Sequence, residues 1–174
     1  VIMNHVKDGV ELAKKYRLKP ALIDIIAQHH GNSLVYYFYR KALEEGREEA
    51  EEIQEEGFRY PGPKPTSKET AIVLLADSVE AASRVMEDPQ PAKIEEVVHK
   101  IINNKFIDRQ LDDCDLTLKD LEKISKVFVY MLGGIYHGRI KYPEGSKTTE
   151  SNNNKKHNHD TSIHQPEQDK KSHK

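Results

Sequence analysis

Three absences narrow the possible functions of this chain before any motif is considered. Only one of its 174 residues is a cysteine, Cys114, which excludes an internal disulfide framework and favours a reducing compartment. No apolar run approaches the roughly 20 residues that span a bilayer, and no signal peptide is recognisable, so we expect the chain itself to be soluble. The formal net charge is −2, and without a basic excess DNA is not an expected partner.

The C-terminal segment also lacks what a folded domain needs. From about Glu144 onward the residues are polar, and Ile163 is the only aliphatic side chain. Such a segment cannot bury enough apolar surface to offset the entropy lost on ordering. We therefore predict one folded domain over 1–142 and a disordered polar tail over 143–174. The tail contains four irregularly spaced histidines that do not predict a defined metal site: His157, His159, His164 and His173.

Alternating strand patterns and internal repeats are absent, whereas helical periodicity is present in every long segment. The predicted fold is all-α. We expect helices at about 6–16, 20–30, 34–56, 66–86, 92–104 and 117–137, with Pro20 in the first turn of the second and a capping box at Thr117 and Asp120. Three prolines and two glycines between Gly57 and Pro65 predict a stiff, extended loop.

The most informative residues are two adjacent histidines, His29 and His30, at the end of a short apolar helix. Gly31 follows at once, which predicts a left-handed cap. At about 100° per residue the two histidines share the arc of the isoleucines, while Asp24 and Gln28 lie opposite. Each imidazole needs a partner for both ring nitrogens, and a metal ion is a partner that two imidazoles can share. The pair therefore predicts a metal site.

Two further residues, His5 and Asp77, could complete such a site. His5 lies on the apolar side of its helix, which predicts that it points inward, and Asp77 interrupts an apolar run. Alone, each has a structural explanation, as a hydrogen-bonded core histidine or a surface carboxylate. The ordered set of His5, the His29–His30 pair and Asp77 on three helices favours metal binding.

This ordered set resembles the second half of the pattern His, His-Asp, His, His-His, Asp that characterises the HD-superfamily metal-dependent phosphohydrolases. The chain is most similar to the membrane-anchored, receptor-type HD phosphodiesterases, which hydrolyse the bacterial messenger cyclic di-AMP. The resemblance runs from the start to about Tyr142 and is carried by four blocks: Asn4–Gly9, Gln28–Gly31, Phe58–Pro65 and Ala76–Ala81.

The resemblance implies an HD-domain helical bundle with two divalent transition metals, iron or manganese. His5, His29 and His30 are then expected to ligate the second metal, and Asp77 the first. The complete protein would open cyclic di-AMP to linear pApA. It would do so at the cytoplasmic face of the cell membrane, to which segments that precede this chain would attach it, and it could form a homo-oligomer. The first His and the His-Asp pair have no counterpart here, so we expect the isolated chain to be inactive.

Four residues are candidates for substrate contacts. Lys64 and Arg59, on the proline loop, could contact phosphate, and Tyr37 or Tyr60 could stack on adenine. Each could equally have a surface or core role.

Two functions of other classes remain open. A non-catalytic HD-type module that binds a nucleotide or a partner and signals would be favoured if upstream residues lacked the His-Asp pair. A metal-free helical interaction domain would be favoured if the purified protein contained no stoichiometric transition metal.

Overall fold

The computed structural model describes residues 3–45, 53–87 and 89–137 of the chain. Within these ranges the structure is helical, apart from one isolated antiparallel bridge between Leu34 and Arg59. The predicted all-α fold is confirmed. The elements in chain order are α1 (Asn4–Lys15), α2 (Pro20–Gln28), α3 (Tyr36–Glu45), a 3-10 helix (Glu55–Phe58), α4 (Lys68–Arg84), α5 (Pro91–Ile107) and α6 (Leu118–His137).

Helix ends follow the local signals in the sequence. Pro20 occupies the first turn of α2, and Gly31 adopts a φ of +56° just beyond its end. Ser67 caps α4 through its side chain. Before α6, the amide of Asp120 donates to Oγ1 of Thr117 at 3.1 Å and the amide of Thr117 donates to the Asp120 carboxylate at 3.2 Å. The predicted signals at the ends of α2 and before α6 are confirmed, and the Ser67 cap is an additional feature.

The predicted helix over 34–56 is too long. α3 ends at Glu45, Ile53 and Gln54 are not helical, and 46–52 lie outside the described residues. A continuous helix of that length would separate its ends by roughly 34 Å. Instead the chain returns, so that the amide of Val35 donates to the Phe58 carbonyl at 2.8 Å. This pairing between distant residues is incompatible with one continuous helix over 34–56, whatever the helix propensity of its glutamates.

The core lies between α4, α5 and α6. Leu74, Leu75 and Val98 are fully buried there, and Ile94 is nearly so. α2 packs on α4, and α1 packs on α2. The end of α2, which His29 and His30 (the dyad) follow directly, therefore lies beside α4, the helix that carries Asp77. Within the described ranges, none of the helices combines the length and apolarity that a bilayer crossing requires. The tail predicted over 143–174, with its histidines, lies outside the described residues and stays a prediction.

Candidate metal centre

Three imidazoles converge where α1 meets the end of α2. The Nε2 atom of His5 lies 3.2 Å from Nε2 of His29 and 3.1 Å from Nε2 of His30. The sequence-predicted histidines are therefore brought together, each offering one nitrogen to the same point.

The hydrogen bonds made by the Nδ1 atoms of His29 and His30 determine which ring nitrogens can act as ligands. Nδ1 of His29 lies 2.8 Å from the carbonyl of Ile26, and Nδ1 of His30 lies 3.2 Å from Oδ2 of Asp77. Both neighbours accept hydrogen bonds and so favour a proton on Nδ1, and in that tautomer Nε2 carries the lone pair that a metal ion needs. Burial is the main cause that lowers the pKa of His29, which favours the neutral form of its ring.

This donor set fits a metal ion. Nitrogens that bind one transition-metal ion at about 2.1 Å stand roughly 3.0–3.4 Å apart for angles between 90° and tetrahedral. The Nε2 contacts of 3.1 and 3.2 Å fall in that range. A neutral His5 has one N–H at most and cannot saturate both dyad lone pairs with linear hydrogen bonds, whereas one cation at their centre satisfies all three rings.

Asp77 approaches the dyad from the other side. Its carboxylate contacts the outer nitrogen of His30, and this hydrogen bond is the main cause that lowers the pKa of Asp77. The structure thus places Asp77 behind the dyad rather than at the point where the Nε2 atoms meet. One oxygen holds His30, which leaves the second for another partner, and the predicted role of Asp77 as ligand to a first metal stays a prediction.

The expectation that His5 points into a buried face is wrong for the described residues. His5 is exposed, and on the same face Leu12 is 54% and Tyr16 68% exposed. Among the described helices α1 packs only on α2, so one side of this face has no neighbour. The result is an open, apolar groove of about 620 Å³ beside His5 and His29.

Gln28 was expected on the outer side of α2 and is buried instead, with 6% exposure. Its Oε1 accepts from the amide of Thr66 at 2.9 Å and from the Thr66 hydroxyl at 3.3 Å. A helical wheel assigns a polar residue to solvent, but a buried amide is stable when its hydrogen bonds are made.

Of the aromatic candidates, the structure brings only Tyr60 to the histidines. Its ring stacks on His30 with a centroid distance of 4.3 Å and an angle of 22°, and meets His5 edge-on at 6.1 Å. Burial is the main cause that raises the pKa of Tyr60. Tyr37 is 70% exposed on α3 and contacts Phe38, so no contact to the site supports its predicted stacking role.

Of the two basic candidates, Arg59 makes hydrogen bonds within the chain that the sequence did not predict. Its guanidinium donates to the Asn32 carbonyl at 2.9 Å, to the Asp108 carboxylate at 2.9 Å and to Glu55. These hydrogen bonds raise the pKa of Arg59, that with Asp108 most. Its donors are used within the chain, so a phosphate would have to replace one of these partners, and the predicted phosphate contact stays a prediction. Lys64 is half-buried on the proline loop.

Sequence reasoning missed Lys105 and Gln110. Nζ of Lys105 donates to the hydroxyl of Ser33 at 2.7 Å, and burial lowers the pKa of this lysine. Gln110 is fully buried against Asn32. No periodicity or spacing links these residues to the dyad, because only the packing of α5 brings them to it.

Comparisons with known proteins identify relatives of this chain. Residues 1–82 match the HD domain family. The chain is 50% identical over 147 residues to a cyclic-di-AMP phosphodiesterase PgpH of Bacillus subtilis, covering 84% of the chain and 20% of that protein. It is 43% identical over 144 residues to a cyclic-di-AMP phosphodiesterase PgpH of Listeria monocytogenes, covering 83% of the chain and 20% of the relative.

A solved structure extends the comparison to three dimensions. The crystal structure of the L. monocytogenes phosphodiesterase PgpH HD domain in complex with cyclic-di-AMP superposes with a TM-score of 0.72 at 42% identity. The match covers 78% of this chain and 61% of that domain. The chain thus spans about a fifth of the length of the curated relatives and most of one solved domain.

Proposed function

Residues 1–82 match the HD domain family, and on that premise we propose that the chain forms part of a metal-dependent phosphodiesterase that hydrolyses cyclic di-AMP to linear pApA. The similarity to two cyclic-di-AMP phosphodiesterases supports the substrate. The observation that carries the proposal is that the Nε2 atoms of His29 and His30 both lie within 3.2 Å of Nε2 of His5. Three converging imidazoles suit a transition-metal ion, and such an ion can activate water and polarise a phosphodiester.

HD phosphohydrolases are metal-dependent, and we assign His5, His29 and His30 to one of two ions and Asp77 to the other. Imidazole and carboxylate donors suit iron or manganese. When bound, such ions polarise the phosphodiester and lower the pKa of water, so that a nucleophile is present at neutral pH.

The chain's own residues prepare this site. The Ile26 carbonyl and Asp77 hold the dyad rings in the tautomer that presents Nε2. Tyr60 covers one face of His30 and so limits rotation of that ring. We propose that the opposite face of Tyr60 stacks on an adenine and that Lys64 contacts a phosphate.

For the whole protein we propose a position at the cytoplasmic face of the cell membrane. The proposal rests on the resemblance to receptor-type HD phosphodiesterases. Fractionation of cells that express the full-length protein, with and without high salt, tests it: recovery in the soluble fraction would contradict it.

Replacement of one dyad histidine in the full-length protein tests the proposed function. We expect His30→Ala to lose bound metal and turnover of cyclic di-AMP, with a folded circular dichroism spectrum retained. His99→Ala is the matched control, because His99 is an exposed histidine on α5 outside the cluster. Elemental analysis, product chromatography and a melting curve are made on the same preparations.

Two results would contradict the proposal in different ways. A His30→Ala protein that keeps its metal and its turnover but melts several degrees lower would show that His30 is structural. A wild-type protein that binds cyclic di-AMP without hydrolysing it would instead favour the non-catalytic binding module.

A further inference from the structure

The turn that follows His30 is held by side chains from the C-terminal end of α5 and from the residues directly after it. Lys105 donates to the Ser33 hydroxyl at 2.7 Å, and Gln110 contacts Asn32. Asp108 acts indirectly, since it accepts from Arg59, which donates to the Asn32 carbonyl. The residues 105–110, which we call the brace, lie outside the part of the chain that matches the HD domain family.

Gln110 forms the centre of the brace. Its Oε1 accepts from the Asn32 amide at 3.0 Å, and its Nε2 donates to Oδ1 of the Asn32 side chain at 2.6 Å. Nε2 also lies 2.9 Å from the Asp108 carboxylate. Gln110 is fully buried, so water cannot replace these partners if they are lost.

The backbone is shaped to make this contact possible. Arg109 adopts a φ of +58°, which turns the chain so that Gln110 points back toward α2. On the other side Gly31 adopts a φ of +56°, and a Cβ there would overlap Oε1 of Gln110. Two backbone conformations that L side chains rarely adopt therefore meet at one contact.

The contacts made by the brace serve the dyad turn more than the core. The core between α4, α5 and α6 is closed by apolar side chains such as Leu74 and Val98. The side-chain amide of Gln110 instead hydrogen-bonds to Asn32, the second residue after His30, and Lys105 hydrogen-bonds to Ser33, the third. Movement of this turn would shift the Nε2 atoms of the dyad relative to His5, since the turn begins at His30.

We propose that Gln110 is a positioning residue for the metal site: it fixes the Gly31–Asn32 turn and thereby the direction in which His29 and His30 present Nε2, with Lys105 as a second support. This inference rests on the proposed function only in that the dyad binds metal. Groups that hydrogen-bond directly to metal ligands typically contribute about 10- to 100-fold in metal affinity or activity, and we expect Gln110, one contact further away, to act at the lower end of that range.

The test measures metal affinity in the full-length protein by titration calorimetry with Mn²⁺. Gln110→Met keeps the side-chain length and removes the hydrogen bonds, and we expect Mn²⁺ to bind at least about 10-fold more weakly. Val98→Ala is the matched control, because it removes a fully buried side chain from α5 without touching the dyad turn. We expect it to lower the melting temperature and leave Mn²⁺ affinity unchanged.

A second readout concerns the metal-free protein. In imidazole nitrogen NMR spectra we expect Gln110→Met to change the His29 and His30 signals and Val98→Ala to leave them in place. If Gln110→Met does not fold, Asn32→Ala removes the contact between the two side chains from the half-buried partner and carries the test.

The outcomes separate this inference from the proposed function. Unchanged Mn²⁺ affinity in Gln110→Met, or an equal loss in Val98→Ala, would overturn the positioning role. Conversely, a wild-type protein that binds Mn²⁺ but does not hydrolyse cyclic di-AMP would refute the proposed function while the effect of Gln110→Met on affinity still stood.

Discussion

Replacement of Gly31 by alanine is the most stringent single test of how the dyad is built. Gly31 follows His30 directly and adopts a φ of +56°. A Cβ at this position would overlap Oε1 of Gln110 and lie 3.2 Å from Cδ1 of Leu74. Leu74 is fully buried and cannot move aside, so Gln110 would have to be displaced.

The expected loss of stability has two parts. Alanine in the left-handed region costs roughly 1–2 kcal/mol more than glycine. Displacing Gln110 breaks its hydrogen bonds with the half-buried Asn32 and leaves the buried side-chain amide of Gln110 without partners, which costs about 1–3 kcal/mol. We therefore expect Gly31→Ala to lower the free energy of unfolding by roughly 2–5 kcal/mol, a large share of the ~5–15 kcal/mol of a typical domain.

Urea unfolding followed by circular dichroism measures this change. The matched control is Gly133→Ala in α6, where an added Cβ meets nothing within 4 Å. Because alanine is the better helix former, Gly133→Ala is expected to stabilise the protein by about 0.5–1 kcal/mol. The two glycine-to-alanine changes thus have opposite predicted signs.

We also expect Gly31→Ala to weaken metal binding, because relief of the overlap moves the turn that carries the dyad. A Gly31→Ala protein as stable as the wild type and with the same metal content would refute the whole account of the dyad turn.

Two further predictions concern the bundle itself. The pKa of Asp120 is lowered to about 2, mainly by its hydrogen bond with Lys68 and also by Thr117. Its contribution to stability is therefore present above the ordinary pKa of 3.8 and lost as the pH falls toward about 2. In melting curves, Asp120→Asn should show a shallower loss of stability over that acid range; equal slopes would argue against the ion pair. Leu74→Ala removes a fully buried side chain from α4 and should cost about 2–5 kcal/mol in urea unfolding, whereas Ile72→Ala, at a partly exposed position of the same helix, should cost clearly less; similar losses would contradict the assigned core.

Local sequence determined much of the fold because its signals act between neighbouring residues. Helical periodicity, the proline at the start of α2 and the caps of α2, α4 and α6 depend on residues within one or two turns. The candidate site could be predicted from the sequence for a different reason. Histidines are rare on an apolar helical arc, so His5 and the His29–His30 pair stand out without knowledge of the fold, although their roles as ligands stay predictions.

Only the tertiary structure decided what surrounds the candidate site. The pairing of Val35 with Phe58 is incompatible with the single long helix predicted over 34–56. The hydrogen bonds of Gln28 to Thr66 and of Arg59 to Asp108 differ from the solvent-facing roles that a helical wheel or a charge suggests. Gln110 lies 78 residues from Asn32 in the chain, yet it holds the turn behind the dyad. Such contacts have no local signature, because a buried polar side chain is stable wherever packing supplies its hydrogen-bond partners. The sequence of this chain thus determined which residues could bind a metal, and the packing of α5 against the dyad turn decided how those residues are held.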